Sequence, residues 1–302
     1  MKWITSTAAA LALFLAIDGE ISDTVTDVVR QFSQKEEEEI IEEDITPKRG
    51  NRTPRGKHGC AESRSPDGDA CAPAAALGWY CPHEKDGKRP SAPAEAGKLE
   101  EHGAYYLGKD EPVIYLTFDA GYENGNVEKI LDVLKDEDVP AAFFILENLV
   151  SRNPDLVKRM AEEGHTVANH TAKHPDMSQK TKDEFTAELT RMEDAYRSLT
   201  GGEIAKYYRP PEGRFTTENL DWANELGYKT ILWSYAYADW DNDRQMPPEA
   251  AAQKVLAGTH NGEVLLLHPT SKTNAEILRG LIRTWKQAGY RFGTLDELTE
   301  AK

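Results

Sequence analysis

From residue 113 onward, short apolar runs alternate with longer stretches whose apolar residues recur at helical spacing. "VIYLTF" (113–118) reads as a buried strand, and "NVEKILDVLKDE" (126–137) as an amphipathic helix. "AAFFIL" (141–146) is a second strand, followed by a helix over 153–164 with Asn153 as its cap and Pro154 in its first position. "HTVANH" (165–170) predicts a short strand. Residues 181–201 predict a long helix, with Thr181 and Glu184 as a capping box and Gly201 as its stop. The pattern continues with a strand at "KYYRP" (206–210), a helix over 217–227, a single strand "KTILWSYA" (229–236) and a helix around 248–257. It ends with a strand "EVLLLH" (263–268), a helix over 274–289 and a last strand near "RFGTL".

Strand and helix thus alternate about six or seven times, which demands a parallel sheet with helical crossovers. An open doubly wound sheet and a closed (β/α) barrel both satisfy the pattern. No G-x-G-x-x-G follows the first strand and no G-x-x-x-x-G-K-[ST] loop is present, so nothing points to dinucleotide or nucleotide binding. The count favours an α/β barrel, distorted or incomplete.

Residues 18–77 have a different texture. An acidic block, "KEEEEIIEED" (35–44), precedes a basic one, "PKRGNRTPRGKH" (47–58), and then "SPDGDACAPAAA". Charge blocks with Pro, Gly and few apolar residues predict a disordered, solvated linker. Before it, residues 1–17 hold one lysine and an apolar run from Ala8 to Ile17. That run is too short for a bilayer, which needs about 20 apolar residues, and has the length of a signal-peptide core. Export is therefore expected, with an apolar tail as the alternative. Residues 78–302 form the remaining, folded domain. The net charge of −16 argues against a nucleic-acid partner, whose phosphates it would repel. Cys60, Cys71 and Cys81 form no C-x-x-C pair, so a zinc knuckle is not expected. In an exported protein one disulfide and one free thiol would be possible, and the sequence does not choose the pair.

The chemistry collects at strand ends. Asp119 follows the first strand, His170 and His174 the "HTVAN" strand, Arg209 "KYY", Asp239 and Trp240 "KTILWSYAYA", and His268 "EVLLL". In barrels and open α/β sheets alike, ligands bind at that rim. Each residue also has an ordinary explanation. Asp119 beside a glycine can cap a turn, H-x-x-x-H occurs in plain loops, Arg209 can answer a structural anion, and His268 can be a core histidine. Taken together they suit another task. Two imidazoles at that spacing can share a metal ion, Asp119 held ionised by Arg209 can act as a base, and His268 can give a proton to a leaving group.

"TFDAGYENG", "HTAKH", "RPPEGRF", "DW" and "LLLHP", in this order, resemble the successive motifs of the polysaccharide deacetylases with a NodB homology domain, carbohydrate esterase family 4. The resemblance spans roughly residues 104–298. It is strongest to the delta-lactam-biosynthetic branch, which acts on muramic acid in peptidoglycan, through "TFDAGYENGN", "ILENL", "YYRPPEGRF", "YADWDN" and "LLLHPTSKTNAEIL". "GWYCPHEKDGKRP" (78–90) resembles a degraded form of the segment preceding the domain in that branch.

The resemblance implies hydrolysis of an acetamide on a peptidoglycan strand by a monomer outside the cytoplasmic membrane, with no protein partner evident. His170 and His174 would hold a divalent ion, zinc first, with manganese or cobalt as alternatives. Asp119 would be the general base and His268 the proton donor to the amine. Arg209 would orient Asp119, Asp239 would support His268, the backbone N–H near Glu212 would help hold the oxyanion, and Trp240 would line the sugar site. One position departs from the wider family, which has a second Asp as metal ligand where this chain has Ala120. A methyl group ligates nothing, so a weakly held ion is expected, and the muramic branch commonly shares the departure. An N-acetylglucosamine deacetylase and a glycan-binding protein without activity are the competing readings.

Overall fold

The computed structural model describes residues 76–84, 87–94 and 99–300. The expected signal segment, the linker up to residue 75, Cys60 and Cys71 lie outside the described residues. Among the described residues no helix is long and apolar enough to cross a membrane.

The strands are β1 (Leu77–Gly78), β2 (Ala104–Tyr105), β3 (Val113–Ala120), β4 (Ala142–Ile145), β5 (Thr166–Asn169), β6 (Ala205–Tyr208), β7 (Arg214–Phe215), β8 (Lys229–Ile231), β9 (Tyr235–Ala236), β10 (Glu263–Leu267) and β11 (Arg291–Phe292). The helices are α1 (Val127–Asp136), α2 (Glu147–Arg152), α3 (Pro154–Glu162), α4 (Lys182–Thr200), α5 (Thr217–Glu225), α6 (Pro248–Gly258), α7 (Lys272–Gln287) and α8 (Leu295–Glu300). A parallel sheet runs β2-β8-β6-β5-β4-β3-β10-β9, with β11 also on β3. β1 and β7 pair separately as an antiparallel ribbon.

The sheet is a curled, incomplete barrel, as the alternation predicts. β8 is next to one end of the strand path and β9 is the other end, yet only residues 232–234 separate them. Four residue steps span at most about 14 Å, so the two ends must come round to face each other. This corrects the expectation of one strand over 229–236. Leu232 N–H donates to the Tyr105 carbonyl at 2.8 Å and Ser234 N–H to the Val264 carbonyl at 2.9 Å. The chain crosses the seam there, where one straight strand would have kept it on one side.

Alternation along β3 separates two cores. Val113 and Tyr115 pack inside the barrel with Phe144, Tyr207, Ile231 and Val264. Ile114, Leu116, Phe118 and Ala120 face the helices and pack with residues of α1 and α7 such as Ile130, Leu278 and Trp285. Both faces of β3 are covered, which is why its sequence is an unbroken apolar run. α1 buries Val127, Ile130, Leu131 and Leu134, the stripe its spacing predicts. The Thr181–Glu184 capping box is present on α4, and Gly201 closes that helix at φ 75°. Asn153 departs from expectation: it precedes α3 at φ −133°, ψ 55° with no side-chain cap bond, while Pro154 holds the first position.

Residues 76–84 and 87–94 run over the seam. Trp79 donates from Nε1 to the Trp233 carbonyl at 2.9 Å, and its backbone N–H donates to Gly213 at 2.8 Å. His83 stacks on Tyr235 at 4.4 Å, and Arg89 Nε donates to the Asn261 carbonyl at 3.1 Å. Cys81 is buried there, and burial pushes its thiol up to about 12, which leaves it a poor nucleophile. Trp79 is thus a core residue of this strap. Trp79→Ala should cost about 3–5 kcal/mol in urea unfolding, and an unchanged midpoint would show that the strap adds nothing to stability.

Candidate active site

The rim residues converge on a buried cation. Arg209, directly after β6, is fully enclosed. Its Nη1 donates to Asp119 Oδ1 at 2.8 Å, Nη2 to Thr117 Oγ1 at 2.9 Å, and Nε to the Ile231 carbonyl at 3.0 Å. The guanidinium also lies 4.1 Å from the centroid of the Phe144 ring, a cation–π contact inside the barrel. Thr117 and Asp119 alternate onto the inner face of β3, so one strand supplies two acceptors. Burial alone would push the Asp119 carboxyl up. The charges of Arg209, His170 and His268, with the Arg209 hydrogen bond, outweigh it and hold Asp119 below its ordinary value. Asp119 is therefore an ionised, oriented carboxylate and not the cap of a turn.

His170 stands beside it. Its backbone N–H donates to the Ile145 carbonyl at 3.1 Å, and its Nδ1 lies 2.9 Å from the Arg209 carbonyl. A carbonyl only accepts, so Nδ1 carries the proton and the Nε2 lone pair is free. Nε2 lies 3.6 Å from Asp119 Oδ2. Burial lowers the His170 pKa to about 4, despite the support of Asp119, so the ring is neutral at neutral pH. The His174 ring meets it edge-on at a centroid distance of 5.0 Å. Left-handed φ values at Thr171 (74°) and His174 (58°) bend the chain to achieve this. Asn169 Oδ1 accepts from Thr171 N–H at 2.9 Å, and Glu188 Oε2 accepts from the N–H groups of Ala172 at 3.1 Å and Lys173 at 3.0 Å. Neither Asn169 nor Glu188 stands out from the sequence, and Glu188 carries no local signal because it lies mid-helix on α4.

Among the described residues no group of three or more His, Cys, Asp or Glu side chains is arranged to hold a metal ion. The donor chemistry of the histidine pair nevertheless fits one. His170 is neutral, its other nitrogen is fixed by a carbonyl, and its free lone pair faces a carboxylate. Ala120 adds nothing, because its methyl is fully buried on the helix-facing side of β3.

His268 and Asp239 form a second pair. Asp239 Oδ1 lies 2.7 Å from His268 Nδ1, and Oδ2 accepts from the His268 backbone N–H at 2.7 Å. Burial disfavours a charged imidazole, but Asp239, by charge and hydrogen bond, and Asp119 outweigh it and raise the His268 pKa. Trp240 is 61% exposed, with its ring 6.2 Å from His268, so an aromatic face borders the site. Glu212 has a left-handed backbone at φ 54°, and its exposed carboxylate pairs with Arg214 at 3.3 Å. The structure therefore joins Asp119, His170, His174 and Arg209 in one contact network and His268, Asp239 and Trp240 in another, while the Glu212 side chain belongs to neither.

Comparison with known proteins identifies the family of the chain. A sequence model of the family described as polysaccharide deacetylase matches residues 107–231. The chain is 41% identical over 212 residues to the peptidoglycan-N-acetylmuramic acid deacetylase PdaA of Bacillus subtilis, covering 68% of this chain and 81% of the relative. It is 33% identical over 189 residues to a peptidoglycan-N-acetylglucosamine deacetylase of Bacillus cereus, covering 61% of this chain and 67% of the relative. The solved structure of Bacillus subtilis PdaA, a family 4 carbohydrate esterase, superposes with a TM-score of 0.72 at 38% identity, over 74% of this chain and 97% of that one. The chain belongs to the polysaccharide deacetylase family, carbohydrate esterase family 4, and its curled barrel is the NodB-type fold of that family.

Removing one partner of a buried ion pair strands the other. Arg209→Met should cost about 3–5 kcal/mol in denaturant unfolding, and Asp119→Asn on that background should restore part of the loss. Strict additivity of the two substitutions would show that the pair is not coupled.

Proposed function

We propose that this protein is a metal-assisted de-N-acetylase that acts on N-acetylmuramic acid in peptidoglycan, outside the cytoplasmic membrane. The observation that carries the reading is an ionised Asp119 beside the free Nε2 of His170, with His268, whose pKa its carboxylate partners raise, near enough to feel its charge. A base and an acid with opposite pKa shifts on one rim suit hydrolysis of a neutral amide.

His170 and His174 would hold a divalent ion, zinc or alternatively manganese or cobalt, which would supply Lewis-acid polarisation to the acetamide carbonyl. Asp119 takes a proton from the water that attacks the acetyl carbon, and Arg209 keeps that carboxylate charged and aimed. The backbone N–H near Glu212 supports the oxyanion, which the left-handed turn there would help to present. His268 gives its proton to the sugar nitrogen as the C–N bond breaks, so acetate and a free amine leave. Asp239 stabilises the imidazolium until then. Trp240 offers its face to the pyranose ring. The amine freed on muramic acid is the group that closure of a delta-lactam in spore cortex needs.

The muramic substrate is supported by the "TFDAGYENGN" and "LLLHPTSKTNAEIL" motifs, by Ala120, and by the relative named for N-acetylmuramic acid. N-acetylglucosamine is the second reading, favoured by the Bacillus cereus relative.

The test is acetate release from defined muropeptides with and without chelator. Asp119→Asn should lower kcat by about 10²–10⁴-fold while glycan binding persists, and full activity in that variant sinks the base assignment. Chelation should abolish release and added zinc restore it; chelator-resistant turnover would remove the metal from the scheme. The reaction needs Asp119 ionised and His268 protonated. Because Asp119 is shifted down and His170, which must stay neutral, protonates only at about 4, the acid limb of kcat/KM should lie no higher than about 4, and because His268 is shifted up the alkaline limb should lie above the usual imidazole range. An alkaline limb below the ordinary imidazole value contradicts the role of His268 as acid.

A further inference from the structure

We propose that Asn274 is a positioning residue for the His268–Asp239 pair, with its side-chain amide oriented by Tyr237 and committed to the Asp239 carboxylate. The inference rests on the reading of His268 as a proton donor.

Asn274 is fully buried, Tyr237 and Asp239 nearly so. Asn274 Nδ2 donates to Asp239 Oδ2 at 2.6 Å and to the His268 carbonyl at 3.1 Å. One amide nitrogen thus ties the carboxylate to the backbone of the histidine it serves. Tyr237 donates its hydroxyl to Asn274 Oδ1, which fixes the amide with its nitrogen inward. Oδ2 of Asp239 then has two donors, Asn274 and the His268 backbone N–H, while Oδ1 is left to the imidazole. Without the amide, only His268 itself, through its backbone N–H and its ring, would set the rotation of the carboxylate.

Two other helices provide an internal comparison. Asn274 is the third residue of α7, whose N-cap is Ser271. At the same position in α4 and α5, Glu184 and Asn219 turn back and accept from the N-cap N–H, each at 2.9 Å, completing capping boxes. Asn274 has the chemistry to do likewise. Instead its side chain reaches into the rim, and the Ser271 N–H donates to the His268 carbonyl at 3.1 Å. α7 keeps half of its cap, with Ser271 Oγ accepting from Asn274 N–H at 3.0 Å, and gives up the reciprocal half. A residue serving only its helix would turn back, so its diversion points to the site.

The charged groups that act on His268 are Asp239, Asp119 and Arg209. Of these, Asp239 alone is hydrogen-bonded to the imidazole, so loosening it should act on His268 before anything else. The experiment follows the His268 ring by NMR across pH in the full chain, beside kcat and KM for acetate release. Asn274→Leu should lower the His268 midpoint by about one pH unit and kcat by about 10–100-fold, with KM unchanged. Tyr237→Phe, which removes only a hydroxyl, should move both in the same direction by less, and it decides the matter if Asn274→Leu does not fold. Thr273→Val, which removes a hydrogen bond to the Met246 carbonyl (2.8 Å) from the same helical turn, should leave the midpoint in place. The proposal is overturned if the Asn274 or Tyr237 variant loses stability while the His268 midpoint stays at its wild-type value, or if Thr273→Val shifts it equally. A fall of the midpoint in a protein that releases no acetate would sink the deacetylase reading and leave the positioning role standing.

Discussion

A guanidinium enclosed on every side must find acceptors from the protein, because water cannot reach it. Arg209, itself at the end of β6, finds them on two other strands: Asp119 and Thr117 on β3 and the Ile231 carbonyl on β8. Those strands are not sequence neighbours, and they meet only because the sheet curls. The ion pair therefore both requires the barrel and helps to fix its curvature. Its chemical result is a carboxylate that stays charged inside a low-dielectric rim. The same residue supplies the carbonyl that sets the His170 tautomer, so one buried cation orients the base with its side chain and the candidate metal ligand with its backbone.

The two halves of the site are held by different devices. The base side relies on charge, with Arg209 against Asp119 and a neutral His170 alongside. The acid side relies on a hydrogen-bond chain, Tyr237 to Asn274 to Asp239 to His268. Burial opposes the ionised form on both sides, and in each it loses to a specific partner. The opposite pKa shifts of Asp119 and His268 come from those partners and not from depth.

Most of the elements were legible because their periods are clean. β3, β4 and β10 are short apolar runs, and α1, α4 and α7 carry amphipathic stripes with recognisable stops. The misreading over 229–236 had a physical cause: the apolar residues continue through the seam although the hydrogen-bond partners change from β2 and β6 to β10. Asn153 misled for a similar reason, since residue type favours a cap but the preceding helix α2 dictates its backbone. On the rim, residues that end strands were visible because strand ends can be read. Asn274 and Glu188 were not, because both act from helices and their targets lie far away along the chain.

The sequence by itself determined the strand–helix order, the identity of the rim residues and the missing carboxylate at Ala120, since local periodicity and residue type carry that information. The tertiary structure alone decided that Arg209 reaches Asp119, that His170 presents Nε2 and not Nδ1, and that the Ala120 methyl faces the helices. Each of these depends on how far the sheet curls and which face of a strand turns inward, and such long-range geometry is a property of the packed barrel and not of any one segment.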